Sequence, residues 1–279
     1  MPKPVSTASQ RGISSHLRFL APPIRELILS VGFQPLPFTV VQFGGLWAAF
    51  KERFPNVEQK PPYKLQIETF GQPPGPTITL ELVDVALPRL WLIDNAGSQL
   101  VQIQNDWFAR NWRRVDDQEG YPRYPALSDA FVADLTKFQS YLASEGIGGL
   151  VPTQCEITYV DHIELPDGEA DLPLSSILSV VSDPPASFDL PPDGQGIALN
   201  YLLSNEGASV GRLHVTVNTA VRRSDGKAIA VLNSTARGLP IGEGIEGVVA
   251  FQDLGREWAW KAFIGLIRED VQQSWKEAS

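Results

Sequence analysis

The sequence predicts an α+β fold, with antiparallel sheets in two similar halves, or one long sheet split between them, each half closed by a helix and the second by a long C-terminal one. Three observations lead there. Short segments of alternating apolar and polar residues recur in both parts of the chain. Hairpin-type turns join successive segments. Each part also ends in an apolar stripe at helical spacing, able to pack on one face of a sheet. A parallel doubly wound sheet would contradict this reading.

Taken in order, residues 1–16 are small and polar, which predicts a mobile tail. The N-terminal α+β half spans 17–165. Leu27, Leu29, Val31 and Phe33 alternate with Glu26, Ile28, Ser30 and Gly32, a strand with one apolar face. Between Val40 and Phe54 the period changes: Phe43, Trp47, Phe50 and Phe54 make a helical stripe that Pro55 ends. Gly44-Gly45 costs that helix about 1 kcal/mol per glycine relative to alanine, and is expected to let the backbone pack closely on the sheet. Tyr63 to Glu68 reads as a short edge strand, and Gly71 to Pro76 as a loop.

Arg89 to Tyr124 is the segment around which the rest is arranged, with three of the seven tryptophans. It reads as a three-strand meander. A two-residue turn at Asn105-Asp106 sets Ile103 opposite Phe108 and Val101 opposite Arg110. Val101, Ile103, Phe108, Arg110 and Trp112 then share a face, and Leu100, Gln102, Gln104, Trp107, Ala109 and Asn111 share the other. Arg110 is the odd residue on an apolar face, because an unpaired buried charge is very costly. Either it reaches a structural carboxylate or the sheet rim, or it waits for an anionic group of a ligand or partner.

Pro125 to Ala143 is helical, with Phe131, Leu135, Phe138 and Leu142 as its stripe and Ser128 as a candidate cap. Gln154 to Ile163 is the next strand. Cys155, Ile157, Tyr159, Asp161 and Ile163 lie on one side of it, with Glu156, Thr158, Val160, His162 and Glu164 on the other. Cys155 and His162 therefore face apart and form no thiol–imidazole pair, so Cys155 reads as a small core residue. Residues 166–195 form an acidic connector rich in Pro and Ser. The C-terminal part, 196–279, holds three strands, the last two joined by a hairpin at Arg223 to Lys227. A helix from about Val249 to Trp275 follows, about 40 Å long, with Trp260, Ile264, Ile267, Val271 and Trp275 in its stripe.

Composition narrows the function. A net charge of −9 over 279 residues argues against non-specific nucleic-acid binding. A single cysteine fits a reducing compartment, and no apolar run approaches a membrane span, so a cytoplasmic location is expected. His16, His162 and His214 are the only histidines. None of the recognised metal, nucleophile-elbow, dinucleotide or phosphate-loop spacings occurs, and Gly242 to Gly247 carries two carboxylates, a poor phosphate cradle. No metal and no cofactor are expected.

The combination of Pro23-Ile24-Arg25-Glu26, Leu100 to Trp112, Tyr121-Pro122-Arg123-Tyr124 and Glu156 to Ile163 resembles a sporadically distributed bacterial and archaeal protein family of unknown function. The resemblance covers residues 20 to 275. It implies Asn where this chain has Asp161, and His where it has Arg256, so neither position is expected to be an essential ligand. It implies no activity and no catalytic residue.

Two readings of function follow. The first is a non-enzymatic binding or regulatory protein, antitoxin-like or defence-associated, using the polar and aromatic meander against a protein partner or a second copy of itself. The second is an enzyme or small-molecule binder with a pocket between the sheet and the long helix. The candidate binding residues are Arg110, Asn111, Trp112, Arg123, Tyr124 and His162.

Overall fold

Strand alternation is realised in a computed structural model that describes residues 19–70, 87–116, 120–164, 173–183 and 192–275. The expected tail, the loop at Gly71 to Pro76, half of the connector and His16 lie outside the described residues. In chain order the elements are β1 (Ile24–Phe33), α1 (Val40–Phe50), β2 (Asn56–Lys60), β3 (Arg89–Ile93), β4 (Gln99–Gln104) and β5 (Trp107–Arg113). Then come α2 (Tyr124–Ser144), β6 (Pro152–Ile163), α3 (Leu174–Ile177), β7 (Gly196–Asn205), β8 (Ala208–Val221), β9 (Ala228–Gly238), α4 (Gly244–Leu266) and α5 (Glu269–Gln273).

The fold is α+β, and one open antiparallel sheet of nine strands, ordered β2-β3-β4-β5-β1-β6-β9-β8-β7, replaces the sheets expected in two halves. The reason lies in β1 and β6. β1 pairs with β5 on one side and β6 on the other, and β6 in turn takes β9, so the ladder never breaks. The meander register is as the sequence predicts: Ile103 opposite Phe108, Val101 opposite Arg110.

One face of this sheet is covered by helices. Phe108 stacks on Phe138 of α2, and Gly255 of α4 lies so close to β6 and β9 that an added Cβ would meet Ala236 Cβ and Ile157 Cγ2 at 2.7 Å each. A glycine is needed there because the helix backbone lies directly on those two side chains, with no room for a Cβ of its own. Gln252, fully buried in the same helix, donates to the Ser30 carbonyl of β1 at 3.2 Å.

Several local expectations are corrected. In α1 it is Leu46 that is buried, while Trp47 stays 37% exposed. Gly45 makes room for the Tyr141 ring of α2 rather than for the sheet, and Tyr141 donates to the Gln42 carbonyl at 2.6 Å. α2 starts at Tyr124, so Ser128 lies inside it rather than capping it. The long helix, α4, ends at Leu266 rather than Trp275, about 35 Å from its start at 1.5 Å per residue; the chain turns extended at Ile267, where Leu178 bridges to it, and the short α5 follows. Its buried residues are Gly247, Val248, Phe251, Gln252, Gly255, Ala259, Phe263 and Leu266; of the expected stripe, Trp260 and Ile264 are only half-buried, while Ile267, Val271 and Trp275 are buried beyond the end of α4.

The segment Tyr63 to Glu68 is not a strand. It crosses the open face and is held by side chains that imitate a strand edge. Gln104 accepts from Tyr63 N at 2.7 Å and donates to Tyr63 O at 3.0 Å. Gln154 treats Glu68 N and Gln66 O in the same way. Farther along, Glu68 meets Arg212 and His214 of β8.

Candidate functional site

The six residues singled out in the sequence do not converge. Arg110 faces the helices and is buried. Its Nε lies 3.2 Å from Asp134 Oδ2 on α2, and its Nη2 donates to Gln99. Arg53 donates to the other oxygen of Asp134 at 2.7 Å. Burial pushes the Asp134 carboxyl up, and the two guanidiniums oppose that rise. Arg110 thus meets a carboxylate of its own chain. Asn111 lies on the opposite face, bonded to Gln102 at 2.8 Å and Glu26 at 2.7 Å. His162 is on that face too, its imidazole pKa lowered by burial and by Arg25 and Arg222. Trp112 is buried against Tyr121.

Arg123 and Tyr124 are different. Both line a cleft of about 1050 Å³ between the sheet, the start of α2 and the middle of α4. Proline residues flank Arg123 and Tyr124, forcing the chain into the first turn of α2, and Arg123 takes φ 74° and ψ 151°. That backbone region is costly for a non-glycine residue, by about 1–3 kcal/mol. It is held by a bond from Arg123 Nη2 to the Phe19 carbonyl at 2.9 Å and by the Tyr121 ring 5.7 Å from the guanidinium. Tyr124 donates to Asp253 of α4 at 2.7 Å, with the Arg256 guanidinium 5.1 Å from its ring.

The floor comes from β6 and β9. Asp161 and Ser234 point to the helix face, Asp161 being 5% and Ser234 2% exposed, and both line the cleft. Burial pushes the Asp161 carboxyl up to about 7, and only the charge of Arg114 works against the rise. Among the described residues Ser234 Oγ has no hydrogen-bond partner. Beside them stand the phenols of Tyr159 and Tyr121; burial raises both, Tyr121 to about 12, and raises Tyr124 as well. These hydroxyls are therefore protonated at neutral pH and serve as hydrogen-bonding groups. Phe19, Trp260 and Phe263 form an apolar wall.

Aromatic walls around a few converging polar groups are the usual composition of a small-molecule site. Asp161, Ser234, Tyr121, Tyr159 and Arg256 are absent from the sequence-based choice. For Asp161 a signal existed: strand alternation already set it on a face shared with Cys155, Ile157 and Ile163, as odd there as Arg110 on its own. Ser234 carried no such signal. Among the described residues no three His, Cys, Asp or Glu side chains gather as a metal site would require, and no described helix is long and apolar enough to cross a membrane.

No protein-family model matches the chain, and the search of curated proteins found no match either.

Proposed function

We propose that the protein binds a small organic molecule in the cleft between the sheet and α4, without acting on it chemically. The ligand presents an N–H or O–H donor to Asp161 and a group that pairs with Ser234, and lays an apolar or aromatic body against Phe19 and Trp260. One observation carries this reading. A carboxyl and a hydroxyl, both more than nine-tenths buried, stand at the floor of a large cleft; no hydrogen bond contributes to the carboxyl's shift, and the hydroxyl has no partner among the described residues. Buried polar groups are normally paired within the protein, and leaving one unpaired costs about 1–3 kcal/mol. A cleft that sets an unpaired hydroxyl beside a carboxyl shifted by burial is organised for an occupant that meets both.

Binding is favoured over catalysis by the state of the other groups. The phenols are all held protonated, and Cys155 is buried elsewhere in the core. The interface reading of the meander has less support, because Gln102, Gln104 and Asn111 are buried and already bonded within the chain.

A thermal-shift screen of small polar fragments against the wild type, Asp161→Asn and Ser234→Ala tests the proposal. A ligand at a hundredfold its Kd stabilises the folded state by about 2.7 kcal/mol, a shift of several degrees. Amine-, amide- or hydroxyl-bearing fragments should shift the wild type, less so Ser234→Ala, and leave Asp161→Asn unmoved. Equal shifts in all three proteins, or none in the wild type, would reject it.

A further inference from the structure

The two edges of the sheet are built differently. β2 is five residues long, carries Glu58 and Lys60, and lies between Pro55 and Pro61-Pro62. Short length, charge and proline are the means by which proteins keep an edge strand from pairing with another chain. β7, at the other edge, has none of them. Its ten residues, Gly-Ile-Ala-Leu-Asn-Tyr-Leu-Leu-Ser-Asn, contain no charge and no proline. Among the described residues no backbone hydrogen bond runs to its outer side. Its pairing with β8 is regular from Gly196 to Leu203, and the register shifts only after that.

The side chains of β7 point the same way. Ile197, Leu199 and Tyr201 lie on the helix face, opposite Val217, Val215 and Leu213 of β8. Those three partners are buried, whereas Ile197 and Leu199 are only half-buried and Tyr201 is 41% exposed. The sheet's apolar layer therefore continues past the last strand that the helices cover well.

We infer that β7 is a self-association edge, where a second copy of this chain adds its own β7 antiparallel and extends the nine strands into one continuous sheet. Symmetry restricts the register, and the apolar side chains select within it. In an antiparallel pair opposite residues share a face, and a two-fold axis makes the pairing reciprocal. A residue of β7 must then lie opposite itself. With the axis at Leu199, that leucine meets its own counterpart, and Ile197 meets Tyr201 of the second copy at both ends. All three helix-face pairs are apolar. On the open face Ala198 meets Asn200, so no charge faces another anywhere in the pairing. Main-chain hydrogen bonds supply the affinity, as in strand addition generally. The net charge of −9 on each copy opposes association at low salt.

The test uses the full chain in sedimentation velocity and light scattering from micromolar to near-millimolar concentration, at low and moderate salt. Wild type should form a dimer that tightens as salt rises. Leu199→Lys puts like charges directly opposite each other and should weaken dimerisation about tenfold or more. Tyr201→Lys, at an exposed position that the fold tolerates, should weaken it too, whereas Val57→Lys on the β2 edge should leave it unchanged. Hydrogen exchange at β7 should slow in the dimer. A wild type monomeric at every concentration would overturn the inference, and so would a dimer that Tyr201→Lys and Leu199→Lys leave intact.

Discussion

Replacing Asp161 by Asn should make the protein more stable at alkaline pH, the reverse of what loss of a buried structural acid does. Burial raises the folded carboxyl from its ordinary 3.8 to about 7. The folded state then holds this proton more tightly than the unfolded chain does. The stabilisation from that proton is complete below the unfolded pKa and is lost as pH climbs through the folded one. Above pH 7 the wild type carries a buried anion that Asn avoids. A shift of roughly three units at about 1.4 kcal/mol each makes the difference on the order of 4 kcal/mol. Urea unfolding of wild type and Asp161→Asn at pH 4, 6 and 8 measures it. The two should agree near pH 4 and diverge in favour of Asn by pH 8. A variant less stable than wild type at pH 8, or a difference that does not change with pH, would mean that the ionised carboxylate is already satisfied and waits for nothing.

Other outcomes follow from the packing. Arg110→Ala should destabilise by about 3–5 kcal/mol in the same unfolding assay, since it strands Asp134 inside with Arg53 as its remaining close partner. Gly255→Ala should cost about 1–3 kcal/mol despite the better helix propensity of alanine, because the new methyl would press on Ala236 and Ile157. Cys155 is fully buried and its thiol is pushed well above the ordinary range by burial, so a thiol reagent should label it only as fast as the protein unfolds.

Much of the fold was legible because its causes are local. Alternation placed the faces of β1, β5 and β6, and the Asn105-Asp106 and Arg223 to Lys227 turns fixed the two hairpins they join. The union of both parts into one sheet was not legible. It depends on β1 and β6 each having two partners, and β6 meets β9 across the connector and two other strands. The buried stripe of α4 is not legible in the sequence because Gln252 and Gly255, a polar residue and a glycine, sit at buried positions where apolar side chains are expected. In the cleft, the Tyr121 to Tyr124 segment stood out by its prolines and aromatics, and it does form the mouth. Arg110, Asn111 and His162 stood out by being polar on strands, yet strand alternation sends Asn111 and His162 to the face away from the cleft. Asp161 stands out in the sequence as a carboxylate on an apolar strand face, and a neutral Asn there should relieve the buried charge.

A co-crystal structure with the tightest-binding fragment from the thermal-shift screen bears most directly on the cleft. The ligand should lie between Phe19 and Trp260, with a donor within about 3 Å of the Asp161 carboxylate and Ser234 Oγ paired. A fragment bound on the open face or at the sheet edge, touching neither Asp161 nor Ser234, would contradict the assignment of the cleft as the binding site.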